Sequence, residues 1–109
     1  MDRESVLRVI EMFRQALEKK KIKIQTIILY GSCAREDYQE GSDIDLIVIS
    51  KSFSKIGYWD RIELLTDVIY ELYEPIEAVA MSPEDWADGD SMFVEYAKHG
   101  KFFNYEEEK

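Results

Sequence analysis

The chain is short of the residues that staple, kink or span. One cysteine, Cys33, cannot close an intramolecular disulfide, so no covalent framework is expected and a reducing, cytoplasmic setting follows. Two prolines and five glycines are too few for a disordered linker or a fibrous repeat. No apolar run approaches the roughly 20 residues that cross a bilayer; the longest, Ile27 to Tyr30 and Ile44 to Ile49, are strand-sized, and no membrane insertion is expected. The opening MDRESVLR has neither the basic start nor the apolar stretch of a signal peptide. Basic residues are outnumbered, 14 Lys and Arg against 23 Asp and Glu. The formal charge of -9 repels phosphate backbones and argues against direct nucleic-acid binding unless a local pocket, around Arg35 and Lys51 for instance, intervenes. What is present, 46% apolar and 34% charged residues over 109 positions, fits a single domain spanning 1–109.

Apolar periodicity supplies the elements. Val6, Val9, Ile10, Phe13 and Leu17 form one stripe of a helix from Asp2 to about Lys20, with Lys19, Lys20 and Lys21 placed where cations complement the helix dipole. Ile22 to Tyr30 reads as a strand ending at Gly31, and Ile44 to Ile49 as a strand buried on both faces. The polar segment Ser32 to Ser42 between them is a short helix or loop. After the mixed loop KSFSKIGY, Trp59, Ile62, Leu65, Ile69 and Leu72 predict a helix from about Trp59 to Tyr73 with its stripe toward the sheet. Pro75 stops it and Ile76 to Met81 makes a third strand. Ser82, Pro83, Glu84 and Asp85 carry the cap, proline and acids of a helix start. A last helix begins near Asp90 or Ser91 and ends at Gly100, and Lys101 to Tyr105 adds an edge strand before the charged tail EEEK. The order implies a small α/β (α+β) domain with a mixed sheet and flanking helices.

The chemistry concentrates in Leu29-Tyr30-Gly31-Ser32, ten residues, then Asp43-Ile44-Asp45-Leu46. Side chains alternate along a strand, so Asp43 and Asp45 share a face, roughly 7 Å apart. A short connection makes the first two strands antiparallel and brings Gly31-Ser32 beside the acids. The third strand, reached through a helix, pairs in parallel and sets Glu77 near Asp45. At ~5 Å and an effective dielectric of ~20, each pair of carboxylates repels by about 3 kcal/mol. Such a set calls for divalent metal or a shifted proton, and carboxylates with room for phosphate are what Mg²⁺ prefers. Two ions about 4 Å apart would activate a hydroxyl and stabilise departing pyrophosphate, which is in-line nucleotidyl transfer. Gly31 lets backbone approach a triphosphate, and Ser32 offers its hydroxyl and amide to phosphate oxygens.

The segment GSCAREDYQEGSDIDLIV resembles the signature of the DNA polymerase beta nucleotidyltransferase superfamily, and the whole chain resembles the minimal nucleotidyltransferases (MNT) of archaea and bacteria. The resemblance implies a polymerase beta-like fold, with Gly31 and Ser32 holding a nucleoside triphosphate and Asp43, Asp45 and a later acid, Glu77, acting as catalytic residues on two Mg²⁺. Family members often carry Ala-Arg-Gly after the Gly-Ser and one further residue; Ala34 and Arg35 match, while Glu36 replaces the Gly. Many such proteins are antitoxins that adenylylate a tyrosine on a helical HEPN ribonuclease toxin with ATP. That partner is implied here, as is an alternative in which the chain neutralises a HEPN toxin by occlusion without catalysis.

Several residues carry two readings. Glu77 is either the third acid or a surface acid of an edge strand, with Glu74 next in line. Arg35 either contacts the triphosphate or pairs with Asp37 or Asp43. Cys33 lacks a histidine partner and reads as a packed residue. His99 sits in a last helical turn, where the dipole accounts for it. Trp59 and Trp86 are expected at helix–sheet contacts, with adenine stacking as the rival reading.

Overall fold

The computed structural model describes residues 2–37, 41–89 and 91–105. Helix α1, Arg3–Lys19, begins at Asp2, whose carboxylate accepts the Ser5 amide at 2.9 Å and satisfies one of the free donors of the first turn. Every residue of its expected stripe, from Val6 to Leu17, is buried. Lys20 closes the helix, and Lys21 turns the chain away from it at φ 69°. The lysine run is therefore a helix end.

The strand expected over 22–30 is shorter, Thr26–Tyr30 (β1). Ile22 and Ile24 are buried, yet the Ile22 amide turns back to the Leu17 carbonyl at 3.1 Å. The backbone of Lys23 is held by the hydroxyls of Ser50 and Ser52. Apolar content without a neighbouring strand gives an extended crossing there. β2, Ile44–Ile49, and β3, Ile76–Met81, fall where the sequence puts them, and β4 is Lys101–Asn104.

The sheet order is β3-β2-β1-β4. β2 lies antiparallel to β1 and parallel to β3, and β4 lies antiparallel to β1. α2, Tyr58–Leu72, crosses from β2 to β3 as a parallel pair requires. It lies with α1 on the face carrying Ile27, Leu29, Leu46 and Val48. Against the other face, through Ile28, Ile47 and Met81, pack α3, Pro83–Asp88, and α4, Met92–Ala97, by way of Trp86, Val94 and Ala97. The last helix is thus shorter than the periodicity suggests, starting from a Ser91 cap and ending before His99; Asp90, named as its other possible start, and the tail EEEK lie outside the described residues. No helix among the described residues is long and apolar enough to cross a membrane.

Two expectations for α2 need correction. Trp59 is 76% exposed and Ile62 41% exposed, whereas Leu65 and Val68 are buried. α2 lies along β3, an edge strand, and its first turns have a groove beside them in place of a sheet. Trp59 packs edge-on against Tyr58 at 5.0 Å. Trp86 is half-buried, as expected, and meets Phe102 edge-on at 6.0 Å.

The 51–58 connection is tied down by a residue the sequence did not single out. Ser50, fully buried, caps a 3₁₀ turn over Lys51–Lys55. Arg61 then spans three elements: Nε donates to the Ile56 carbonyl at 2.8 Å, Nη2 to the Phe53 carbonyl at 2.6 Å, and Nη1 to Asp85 at 2.7 Å. Asp85 in turn forms a capping box with Ser82. A planar fork of donors suits this arrangement and an ammonium does not. Arg61→Ala is expected to lower the unfolding free energy by about 2–3 kcal/mol, and Arg61→Lys to recover less than half of that, as read by urea denaturation.

Candidate active site

Three residues line up across the sheet on the face that carries α3 and α4. Tyr30 on β1 pairs with Asp45 on β2, and Asp45 pairs with Glu77 on β3. Residues in register on adjacent strands project to the same side, so a phenol and two carboxylates form a row at the end of the sheet. Asp45 and Glu77 stand side by side in register, close enough for the Glu77 carboxyl to act on that of Asp45. Burial, then the Glu77 carboxyl, then the charge of Asp43, push the Asp45 carboxyl up to about 6. Burial and the nearby Asp45 and Glu77 also push Tyr30 up to about 12, so its hydroxyl stays neutral.

The turn after β1 closes over Asp45. Gly31 has φ +75°, and a Cβ built on it would overlap the Asp45 carboxylate. Both a left-handed backbone and a missing side chain are needed for the turn to lie against the acid. The Ala34 and Arg35 amides donate to the Gly31 carbonyl at 3.2 and 3.4 Å, and the Asp37 amide donates to the Ser32 carbonyl at 3.0 Å. Ser32 thus sits at the head of a tight turn, beside the acids as the antiparallel pairing requires. Cys33 is buried, and its thiol donates to the Asp43 carbonyl at 3.6 Å. It is the packed residue the sequence suggested, with an added part: it joins the turn to the residue before β2. Burial pushes its thiol up, which makes it a poor nucleophile.

Asp43 stands one residue ahead of β2 and is exposed. It acts on Asp45 through its charge, but among the described residues no three acids, histidines or cysteines are gathered closely enough to hold a metal ion. The structure therefore joins two of the three expected acids. Arg35 is exposed and makes no ion pair with any described residue, so its pairing with Asp37 or Asp43 is not found. Lys51 lies past the far end of β2, about 20 Å along the strand from Asp43, and forms no pocket with Arg35. Glu36 adopts φ 59°, the left-handed conformation a glycine would take. The turn keeps its shape at a cost of about 1 kcal/mol, and the Glu36 carboxylate lies 4.0 Å from Arg3 and 3.9 Å from Lys101. Tyr38, Gln39 and Glu40, within the segment between Gly-Ser and Asp-x-Asp, lie outside the described residues.

A sequence model of the nucleotidyltransferase domain matches residues 10–106. The chain belongs to the nucleotidyltransferase domain family. This nucleotidyltransferase is 35% identical over 78 residues to a Methanocaldococcus jannaschii protein named "Putative protein adenylyltransferase", an overlap of 71% of this chain and 74% of that one. A second relative of the same name and organism is 36% identical over 72 residues, 65% of this chain and 48% of its own length. The solved structure of a "putative nucleotidyltransferase" from Sulfolobus solfataricus shares the fold, with a TM-score of 0.57 at 20% identity over 78% of this chain and 77% of that one. The expected minimal nucleotidyltransferase membership and mixed α/β architecture are both borne out.

Tyr30 is the member of the row that sequence reading missed, although its place just before Gly31 and the antiparallel pairing together put it opposite Asp45. Two outcomes follow from the geometry. Gly31→Ala is expected to cost at least about 1 kcal/mol through its φ alone and to displace the Asp45 carboxylate, measured by thermal unfolding and by the Asp45 titration in NMR. Asp45 titrates higher in the folded chain than its ordinary 3.8. The stability it adds is complete below that value and is lost as pH rises through about 6. In EDTA, Asp45→Asn is expected to remove this decline and to be more stable than the parent at pH 7.

Proposed function

We propose that this nucleotidyltransferase moves AMP from ATP to a side-chain hydroxyl of another protein, with Mg²⁺ as cofactor. The observation that carries the reading is the register that sets Asp45 beside Glu77, with the Gly31-Ser32 turn lying against Asp45. The donor set fits a hard divalent cation: it is all oxygen, and a cation between Asp45 and Glu77 would relieve the repulsion that helps to push the Asp45 carboxyl up. Asp45 and Glu77 would hold the metal, and Asp43, exposed one residue ahead of β2, would have to move in to complete the set; the ion when bound supplies Lewis-acid stabilisation of the phosphate oxygens.

The chain's own residues do the remainder. Gly31 and Ser32 seat the β and γ phosphates by backbone approach and hydroxyl donation, and Arg35, with no protein partner among the described residues, reaches the triphosphate from the same turn. The acceptor oxygen attacks the α-phosphorus and forms the new P–O bond. Its proton passes to a carboxylate of the Asp45 and Glu77 pair, the bond from the α-phosphorus to the bridging oxygen breaks, and pyrophosphate leaves in line. The neutral Tyr30 hydroxyl borders the pair without adding charge.

A protein acceptor is supported by the surface available. The chain carries a charge of -9, which disfavours a nucleic-acid primer, and its Methanocaldococcus relatives are named as protein adenylyltransferases. A tyrosine on a HEPN-type toxin is the acceptor that the MNT resemblance implies. The test is transfer of label from α-³²P-ATP with Mg²⁺ to the product of an adjacent gene encoding an all-helical protein. Asp43→Asn and Asp45→Asn are each expected to lower transfer by at least about 100-fold while the complex still forms. Formation of the complex with no label moved in the parent protein would support neutralisation by occlusion instead.

A further inference from the structure

β3 is an edge of the sheet, and no strand among the described residues covers its outer side. The Ile44 amide donates to the Pro75 carbonyl at 2.7 Å and the Ser50 amide to the Met81 carbonyl at 3.0 Å. With the uninterrupted parallel register between, these bonds fix which β3 groups turn toward β2: those of residues 75, 77, 79 and 81. The amides and carbonyls of Ala78 and Ala80 therefore point outward. They open into a groove of about 730 Å³ between α2 and α4, walled by Tyr58, Ile62 and Phe93, all exposed. Edge strands are usually blunted by lysine, proline, a bulge or a covering element. The segment Ile76 to Met81 has no lysine or proline, its register has no bulge, and its side chains at the outward positions are methyl groups.

Charge decides what fits. Asp85 and Asp88 line the groove against one cation, Arg61, which is already committed to Asp85 and to the Phe53 and Ile56 carbonyls. A second copy of the chain would bring the same acids and a further charge of -9 to the contact, and a nucleic acid would bring phosphates. An extended protein segment flanked by basic residues satisfies the free backbone groups, the apolar walls and the acids together. We propose that the outer edge of β3 receives such a segment of the acceptor protein as a fifth strand, which carries its hydroxyl-bearing residue to Glu77. Neighbouring strands lie about 4.8 Å apart, so the residue paired beside Glu77 is within side-chain reach of the carboxylate pair. This assignment rests on the reading of the site as directed to a protein hydroxyl.

The probe is the peptide KKVTVYVKK, compared with EEVTVYVEE, against the full chain by fluorescence anisotropy and by amide exchange in NMR. The basic peptide is expected to bind, to slow exchange at Ala78 and Ala80 by at least about tenfold, and to bind about tenfold tighter than the acidic one. Ala80→Pro removes an outward amide without touching the β2 ladder and is expected to weaken the basic peptide by about tenfold with the circular dichroism unchanged. Asp88→Lys, which does not depend on β3 accepting proline, is expected to reverse the preference between the two peptides. Equal binding of both peptides, or no protection of the two amides by either, overturns the proposal. Protection that grows with protein concentration in the absence of peptide overturns it in favour of a second copy. Binding of a non-hydrolysable ATP analogue with Mg²⁺, measured in parallel, separates the two levels: its absence while the edge is still protected sinks the nucleotidyl-transfer site and leaves the groove standing.

Discussion

The contact between Asp45 and Glu77 is the constraint around which the rest of the domain is arranged. Two acids are brought together on neighbouring strands, Asp45 half-buried with a glycine turn pressed against it and Glu77 exposed at the sheet edge. In isolation this arrangement is unfavourable, and it persists because the surrounding packing fixes the backbone on which both acids stand. Sites built on strands hold their side chains more closely than sites built on loops. Here the two joined acids are on strands, and Asp43, which stands just outside β2, is not gathered with them.

That packing is centred on β2. Apart from Asp45, every residue from Ile44 to Ile49 is buried, with α1 and α2 against one face and α3 and α4 against the other. The acid-bearing end of β2 is the one place on the strand where a polar side chain faces outward, and the chain covers it with a turn in place of a helix. Cys33 anchors that turn to the Asp43 carbonyl, and Glu36 links it by long, exposed ion pairs to α1 and to the start of β4. Exposed pairs of this kind contribute little; the position of the turn is set by burial of Cys33 and by the fit of Gly31 on Asp45.

Much of this was legible in the sequence because the relevant signals are local and periodic. The α1 stripe, the two-sided burial of β2, the crossover to β3 and the spacing of Gly31, Ser32, Asp43 and Asp45 each follow from side-chain period and connection length. The readings that failed did so where a tertiary neighbour decides the outcome. Ile22 and Ile24 look like strand residues but have no strand beside them, and Trp59 lies on the apolar side of a helix whose first turns overhang the sheet edge. Arg61 was invisible because its partners come from two separate stretches of chain, and two of the three are backbone carbonyls. Tyr30 was missed because a residue's place in a row across the sheet depends on register, which a single strand does not reveal.

The parallel register between β2 and β3 carries a consequence for length variation in the chain. Asp45 meets Glu77 only while Ile44 is opposite Ile76, and a slip of one residue would send Glu77 to the other face of the sheet. The helix α2 and the two residues after Tyr73 set that alignment like the spacing of a gear train. Insertions between Ser50 and Gly57 lengthen the approach without changing which residues mesh. A single residue gained or lost between Tyr73 and Ile76 would leave a folded, soluble-looking protein in which the two carboxylates no longer see each other.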